Sequence, residues 1–310
     1  MNHFNFGAAT AVINNTKKKT LKHVHVHGNT HTPTLGQRQR AKTAVCLSID
    51  GIGIVGPIGR KYQTRIQLFK MDLLQLNDDC LDLIFSYLKF DELLPLYNEF
   101  QCFEGAIERQ LHRFRDLRFS MRQPPVFHED LMIKLGRHLN SLHINVGYST
   151  KDEDVLRYLN PLCQGAAESR RMKALKLDHA KWSFDIFSAV DKVVPSLLFL
   201  DMRHCDVRDY QIAQLLESAD KLEALALLHV NNQTGDSYLE PKILNRLPSL
   251  KLIHITIIGP VPFAPEDLAQ QCPNLSFLIS DLINSNFKIY GPPANIQNYY
   301  KNYNDYFKIP

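Results

Sequence analysis

Met172, Leu197, Leu222, Leu250 and Leu275 each open the same short phrase, apolar-x-x-apolar-x, at separations of 25, 25, 28 and 25 residues. The phrases carry Leu175 and Leu177, Leu200 and Met202, Leu225 and Leu227, Ile253 and Ile255, and Leu278 and Ser280 at their fourth and sixth positions. Side chains alternate along a strand, so those positions point one way and the residues between them the other. Five aligned starts imply stacked copies of one unit, since a single copy cannot bury its apolar side alone. Between the phrases, Tyr210 to Leu216 and Leu239 to Leu247 have helical spacing. Leu139, Leu142 and Ile144 form an earlier unit, 33 residues before Met172.

This signature resembles the leucine-rich repeat. Cys205, eight residues after Leu197, stands where that pattern calls for Asn or Cys. Cys272-Pro273-Asn274 reads as a helix stop directly before the next strand. The resemblance implies an α/β solenoid, a horseshoe with parallel strands on the concave face and helices outside. Its expected extent is residues 139–280. Residues 281–310, rich in Asn and Tyr, are read as a polar cap for the last repeat or as a tail whose tyrosines contact a client.

A different pattern occupies 71–115. Asn77 or Asp78 caps a helix start, and Asp78 and Asp79 suit the positive end of its dipole. The rows Cys80, Ile84, Leu88 and Leu81, Phe85, Leu88, widened by Leu83 and Tyr87, exceed the roughly 100° of apolar arc that packing on one core requires. A second helix follows from Asp91 through Leu93, Leu94, Leu96, Phe100 and Phe103. So small a module cannot hide this much apolar surface itself, so a foreign partner is expected. The stretch resembles the F-box. Leu76, Asp79, Cys80, Ile84-Phe85 and Leu88 fall on its first motif positions, and Glu92-Leu93 and Phe103 on later ones. Asn77 stands in place of its usual Pro, Glu99-Phe100 where Val-Cys is common, and Phe103 in place of its usual Trp.

Charge separates the front of the chain from the rest. Residues 1–70 hold eleven Lys or Arg against Asp50 alone, and the other 240 residues hold 25 basic and 31 acidic side chains. A net charge near −6 on the folded part disfavours a nucleic-acid role for it. The first seventy residues read as a disordered basic segment. His23, His25 and His27 there read as a solvated His-rich tail rather than a metal site. Gly51-Ile-Gly53-Ile-Val-Gly56 lacks the following helix that a dinucleotide fingerprint needs. Met71 is an alternative start that the residues leave open. The six scattered cysteines contain no C-x-x-C pair, so neither a zinc site nor a dense disulfide framework is expected. A reducing interior, cytoplasmic or nuclear, is the expected setting. No apolar run reaches the roughly 18 residues of a membrane span. Ile107, Leu111, Phe114, Leu117 and Met121 predict a linker helix carrying Arg109, Arg113, Arg115, Arg118 and Arg122 on a solvated face, with region 116–138 joining module to array.

The combined resemblance, F-box followed by leucine-rich repeats over about residues 71–280, implies the substrate-recognition subunit of an SCF-type ubiquitin ligase. It would bind a Skp adaptor, and through it a cullin–RING scaffold, and hold a protein client without bond chemistry, cofactor or metal of its own. The expected adaptor-binding residues are Leu76, Asp79, Cys80, Leu81, Ile84, Phe85, Leu88, Leu93 and Phe103. The expected client-binding residues, between the inward positions of the strands, are His143, Lys176, Phe199, Asp201, Arg203, His254 and Phe277. The rival reading is a leucine-rich repeat scaffold with no role in ubiquitination.

Overall fold

The structure, a computed structural model, describes residues 76–230, 235, 237–257, 264–281 and 287–307. All of them belong to the second of two units, 71–310, so the His-rich and glycine motifs before Lys70 lie outside the described residues.

Three helices come first: α1 (Asp78–Phe85), α2 (Phe90–Glu99) and α3 (Glu104–Gln110). The Asn77 side chain caps α1, accepting from the Cys80 amide at 3.0 Å. Glu92 Oε2 accepts from the Lys89 amide at 2.8 Å and so closes the start of α2. Arg109 Nε reaches Asp82 at 2.9 Å, and Arg113 Nη1 donates to the Phe85 carbonyl at the end of α1 at 2.9 Å. Those two arginines therefore tie α3 and its following turn to α1, where a solvated basic face is expected from the sequence.

The chain then alternates strand and helix. The strands are β1 (Asp116–Ser120), β2 (Ser141–Asn145), β3 (Ala174–Asp178), β4 (Phe199–Arg203), β5 (Ala224–Leu228), β6 (Leu252–Ile257), β7 (Ser276–Asp281) and β8 (Phe287–Tyr290). Between them run α4 (Glu129–Gly136), α5 (Asp152–Ser169), α6 (Phe184–Asp191), α7 (Asp209–Leu216), α8 (Pro241–Leu244) and α9 (Pro265–Gln271), and α10 (Pro293–Phe307) closes the described chain. The strands form one sheet in sequence order, parallel from β1 to β7 with β8 antiparallel at the edge. The fold is thus α/β, an open and mostly parallel sheet with helices.

Two differences from the sequence reading matter. The segment read as a linker helix holds β1, with Leu117 and Phe119 paired in register with Leu142 and Ile144 of β2. Alternation and a partner strand outweigh the helical spacing that ends with the turn at Leu111–Arg113. The array therefore starts at Asp116. At the other end, Ile253 pairs with Phe277 and His254 with Leu278. Phe277 is accordingly a core residue, fully buried among the inward side chains, and Leu278 faces the opposite side. The 25-residue interval ending at Leu275 is one residue too long as a measure of strand register.

One core runs from Leu81 and Phe85 through Leu142, Leu175, Leu200, Leu225 and Ile253 to Phe277. The helical module and the sheet therefore share an interior. Gly136 of α4 and Gly165 of α5 let these helices meet backbone to backbone; a Cβ on either would overlap a carbonyl oxygen of the other helix. A second, smaller cluster lies on the other face of the sheet. There Ala174, Phe199, Ala224, Leu252 and Leu278 meet Ile296 and Tyr299 of α10.

Candidate protein-binding surfaces

The helical module presents apolar side chains to solvent. Leu83 is 60% and Tyr87 62% exposed. Cys80, Leu83 and Tyr87 follow at intervals of three and four, one stripe along α1 and the turn after it. Leu76, Ile84 and Leu88 are half-buried at its margin, and Asp79 and Cys80 are exposed. Leu81, Phe85, Leu93 and Phe103 are interior, 1–6% exposed. These four hold the helices together, with the Phe85 and Phe103 rings edge to face at 5.4 Å, and offer no surface to an adaptor. The sequence shows an over-wide stripe; the structure divides it into a buried side and an outward side.

The sheet face opposite α4–α7 carries the other candidate set. His143, Lys176, Phe199, Asp201, Arg203 and His254 all project from this face, and α10 lies across them. Asp201 is 2% exposed, and His143, Lys176, Phe199 and His254 are likewise buried. They are not a free surface, because the Tyr-rich segment has folded onto them. The dimensions match: fifteen residues of helix span about 22 Å, and the five strand intervals from β2 to β7 about 24 Å. Asn295 near its start bonds the Lys251 and Asn274 carbonyls and Ser276 Oγ at 2.9–3.0 Å. Near its end the Tyr306 carbonyl accepts from Ser141 Oγ at 3.0 Å, and Phe307 meets the His143 ring edge to face.

Between those ends sits a charged cluster. Arg203 Nε is 3.1 Å from both oxygens of Asp201, two residues earlier on β4. Lys176 Nζ lies 3.9 Å from the same carboxylate. The Tyr303 hydroxyl accepts from Arg203 Nη2 at 2.6 Å and Lys176 Nζ at 2.9 Å. Burial alone would lower the Arg203 guanidinium, but the Asp201 carboxylate outweighs it and holds Arg203 above its ordinary pKa. For Lys176 burial wins over Asp201, and the ammonium is held below its ordinary value. His143 Nε2 donates to Asp178 at 2.7 Å. Burial would raise the Asp178 carboxyl, and this bond with the Lys176 charge holds it below its ordinary value instead.

His254 stands apart. Among the described residues neither of its ring nitrogens has a hydrogen-bond partner, and the Tyr299 ring stands edge-on to it at 5.9 Å. Burial, with Arg203 and His229 adding repulsion, pushes its pKa down to about 4.

At the C-terminal rim of the strands, His179, His204 and His229 occupy equivalent turn positions, each with left-handed φ of 62°, 51° and 56°. Their rings stack at 4.6 and 4.4 Å, nearly parallel, and Tyr148 abuts the first. Rings stacked face to face do not converge their nitrogens, and among the described residues no three His, Cys, Asp or Glu side chains are placed to hold one metal ion. The sequence signal for this ladder was a histidine recurring every 25 residues. Cys205, just beyond His204, is fully buried, its Sγ 3.4 Å from the Leu177 carbonyl, bonding backbone in the turn.

No helix among the described residues is long and apolar enough to cross a membrane. No protein-family model matches the chain, and no curated protein matches it.

Proposed function

We propose that the chain is a substrate-recognition subunit of an SCF-type ubiquitin ligase, joining a Skp adaptor, and through it a cullin–RING scaffold, to a protein client. The observation that carries this reading is the outward apolar stripe Cys80, Leu83 and Tyr87, with Leu76, Ile84 and Leu88 beside it, on a three-helix module placed directly ahead of a parallel strand array. The array shares the module's core yet leaves this stripe uncovered. Apolar side chains grouped on one small face mark an association surface. The resemblance of residues 76–103 to the F-box supplies the identity of the partner. The repeat-like strands supply a second surface for a client at their rim, and at the sheet face only where α10 gives way. The chain itself contributes proximity, raising the concentration of a client lysine at the conjugating enzyme.

The test uses the two most exposed positions, because their substitution leaves the interior intact. Burying a large apolar side chain contributes about 1.5–3 kcal/mol, so Leu83→Asp should weaken adaptor binding by at least about tenfold, and Leu83→Asp with Tyr87→Ala should abolish co-purification with adaptor and cullin. Unchanged binding by the folded double variant would remove the ligase reading and leave a scaffold that acts without ubiquitination.

A further inference from the structure

Helix α10 meets the sheet along one side only. Ile296, Tyr299, Tyr303 and Phe307 recur at intervals of three and four and line one side of a rod laid across the strands. What lies beneath is unlike the other side of the sheet, where apolar residues fill the interior. Asp201 serves both Arg203 on its own strand and Lys176 on the next, and the Tyr303 hydroxyl of α10 accepts from both cations beside it. His254 is the converse case. With α10 in place it is buried with both nitrogens unpartnered, and buried polar groups without partners are rare enough to call for an explanation. Tyr299 of α10 sets its ring edge to face beside His254 at 5.9 Å and gives neither nitrogen a partner.

We infer that the sheet face is a recognition surface for an amphipathic helix of a partner protein, and that α10 is its resident, displaceable occupant. The partner helix fits by the same chemistry that α10 shows. It carries aromatic residues three and four apart over Phe199 and Leu252, a phenolic or acidic oxygen between Lys176 and Arg203, and a polar group for His254 that α10 lacks. Helices laid into grooves are read through such anchors. The tether through β8 keeps α10 at high effective concentration, so a competitor gains entry only by making the better set of contacts. This deepens the client half of the proposed function. It is tested at this face alone, whereas adaptor binding is tested at α1.

The probe is a labelled synthetic peptide of residues 293–307, added to the full chain and followed by fluorescence anisotropy. Tyr299→Ala with Tyr303→Ala weakens the resident helix, and this variant should bind the peptide at least tenfold more tightly than the unaltered chain. A variant with native sheet amide protection that binds no better overturns the inference. Hydrogen exchange on the unaltered chain gives a second decision that needs no variant. Amides of α10 should exchange through openings at least tenfold more frequent than those that expose β3–β5. Exchange of α10 only together with those strands would make it a fixed part of the fold and defeat the proposal.

Discussion

Acidification should loosen α10, and His254 sets the size of the effect. Its imidazole has an ordinary pKa near 6.5 when solvated, and burial under Tyr299 lowers that to about 4. The covered state therefore excludes the proton that the uncovered state accepts. The sign follows from linkage. The cover is at full strength above pH 6.5, weakens as pH falls through that value, and stops weakening below about 4. Between pH 7.5 and 5.5 the opening constant should rise about tenfold, near 1.4 kcal/mol, because at pH 5.5 the solvated ring is about nine-tenths protonated. The result depends little on the lower value, provided that it stays well under 5.5. Other groups face the same region: Arg203 from β4, His229 at the rim beside β5, His143 from β2, and Tyr299 and Tyr303 from α10 itself. Burial holds both tyrosines above their ordinary range, so they do not titrate in this window. The assay is hydrogen exchange of α10 amides at the two pH values, corrected for the intrinsic rate. His254→Phe keeps an aromatic ring against Tyr299, removes its titration and the unpartnered nitrogens, and should make α10 more protected and cut the tenfold pH response to what His143 and His229 contribute. Protection that does not change with pH in the unaltered chain, or an equal loss in His254→Phe, would refute the reasoning.

Other perturbations have calculable directions. Gly165→Ala pushes a methyl into the Ile133 carbonyl, so it should destabilise by about 1–3 kcal/mol or more and lower the urea midpoint, with Gly136→Ala close behind. Asn77→Ala deletes the α1 cap and should cost about 1 kcal/mol by thermal or chemical unfolding. Tyr303→Phe removes the acceptor shared by Arg203 and Lys176 and should speed α10 exchange several-fold while leaving β3–β5 protection unchanged. Burial pushes the Cys163 thiol up to about 12, so a thiol reagent at pH 8 should modify exposed Cys80 and Cys102 in the native protein and reach Cys163 only on unfolding.

The strands from β2 to β6 were legible because an inward apolar pair two residues apart is hard to produce by any other element, and stacking repeats it. Register was legible only while spacing held. Leu275 is apolar and buried, yet it sits one place later than Leu250 does in its own unit, so counting from it put Phe277 on the wrong side. β1 was hidden by overlap. Leu117 and Phe119 lie 25 residues before Leu142 and Ile144, but Ile107, Leu111 and Phe114 also lead into them with helical spacing, and the helix and turn consume that pattern first. The fate of α10 was the hardest to read. Its stripe of Ile296, Tyr299, Tyr303 and Phe307 is present in the sequence, but no local rule says which surface a helix finds. The charged strand residues looked like open surface because polar side chains usually are. They are buried instead because Tyr303 supplies an oxygen where Lys176 and Arg203 need an acceptor.

The two surfaces differ physically, and the difference orders their use. The stripe on α1 is apolar and uncovered, so an adaptor that buries it gains free energy without first displacing anything. The sheet face is already covered, so any partner there competes with a tethered helix whose contacts must be broken first. On the proposed function, binding at α1 would be the unconditional event and binding at the sheet the conditional one. Under that ordering, adaptor affinity should be the same for the unaltered chain and for Tyr299→Ala with Tyr303→Ala, whereas peptide affinity should differ at least tenfold. A change in adaptor affinity caused by those α10 substitutions would show that the shared core couples the two ends, and the ordering would fail.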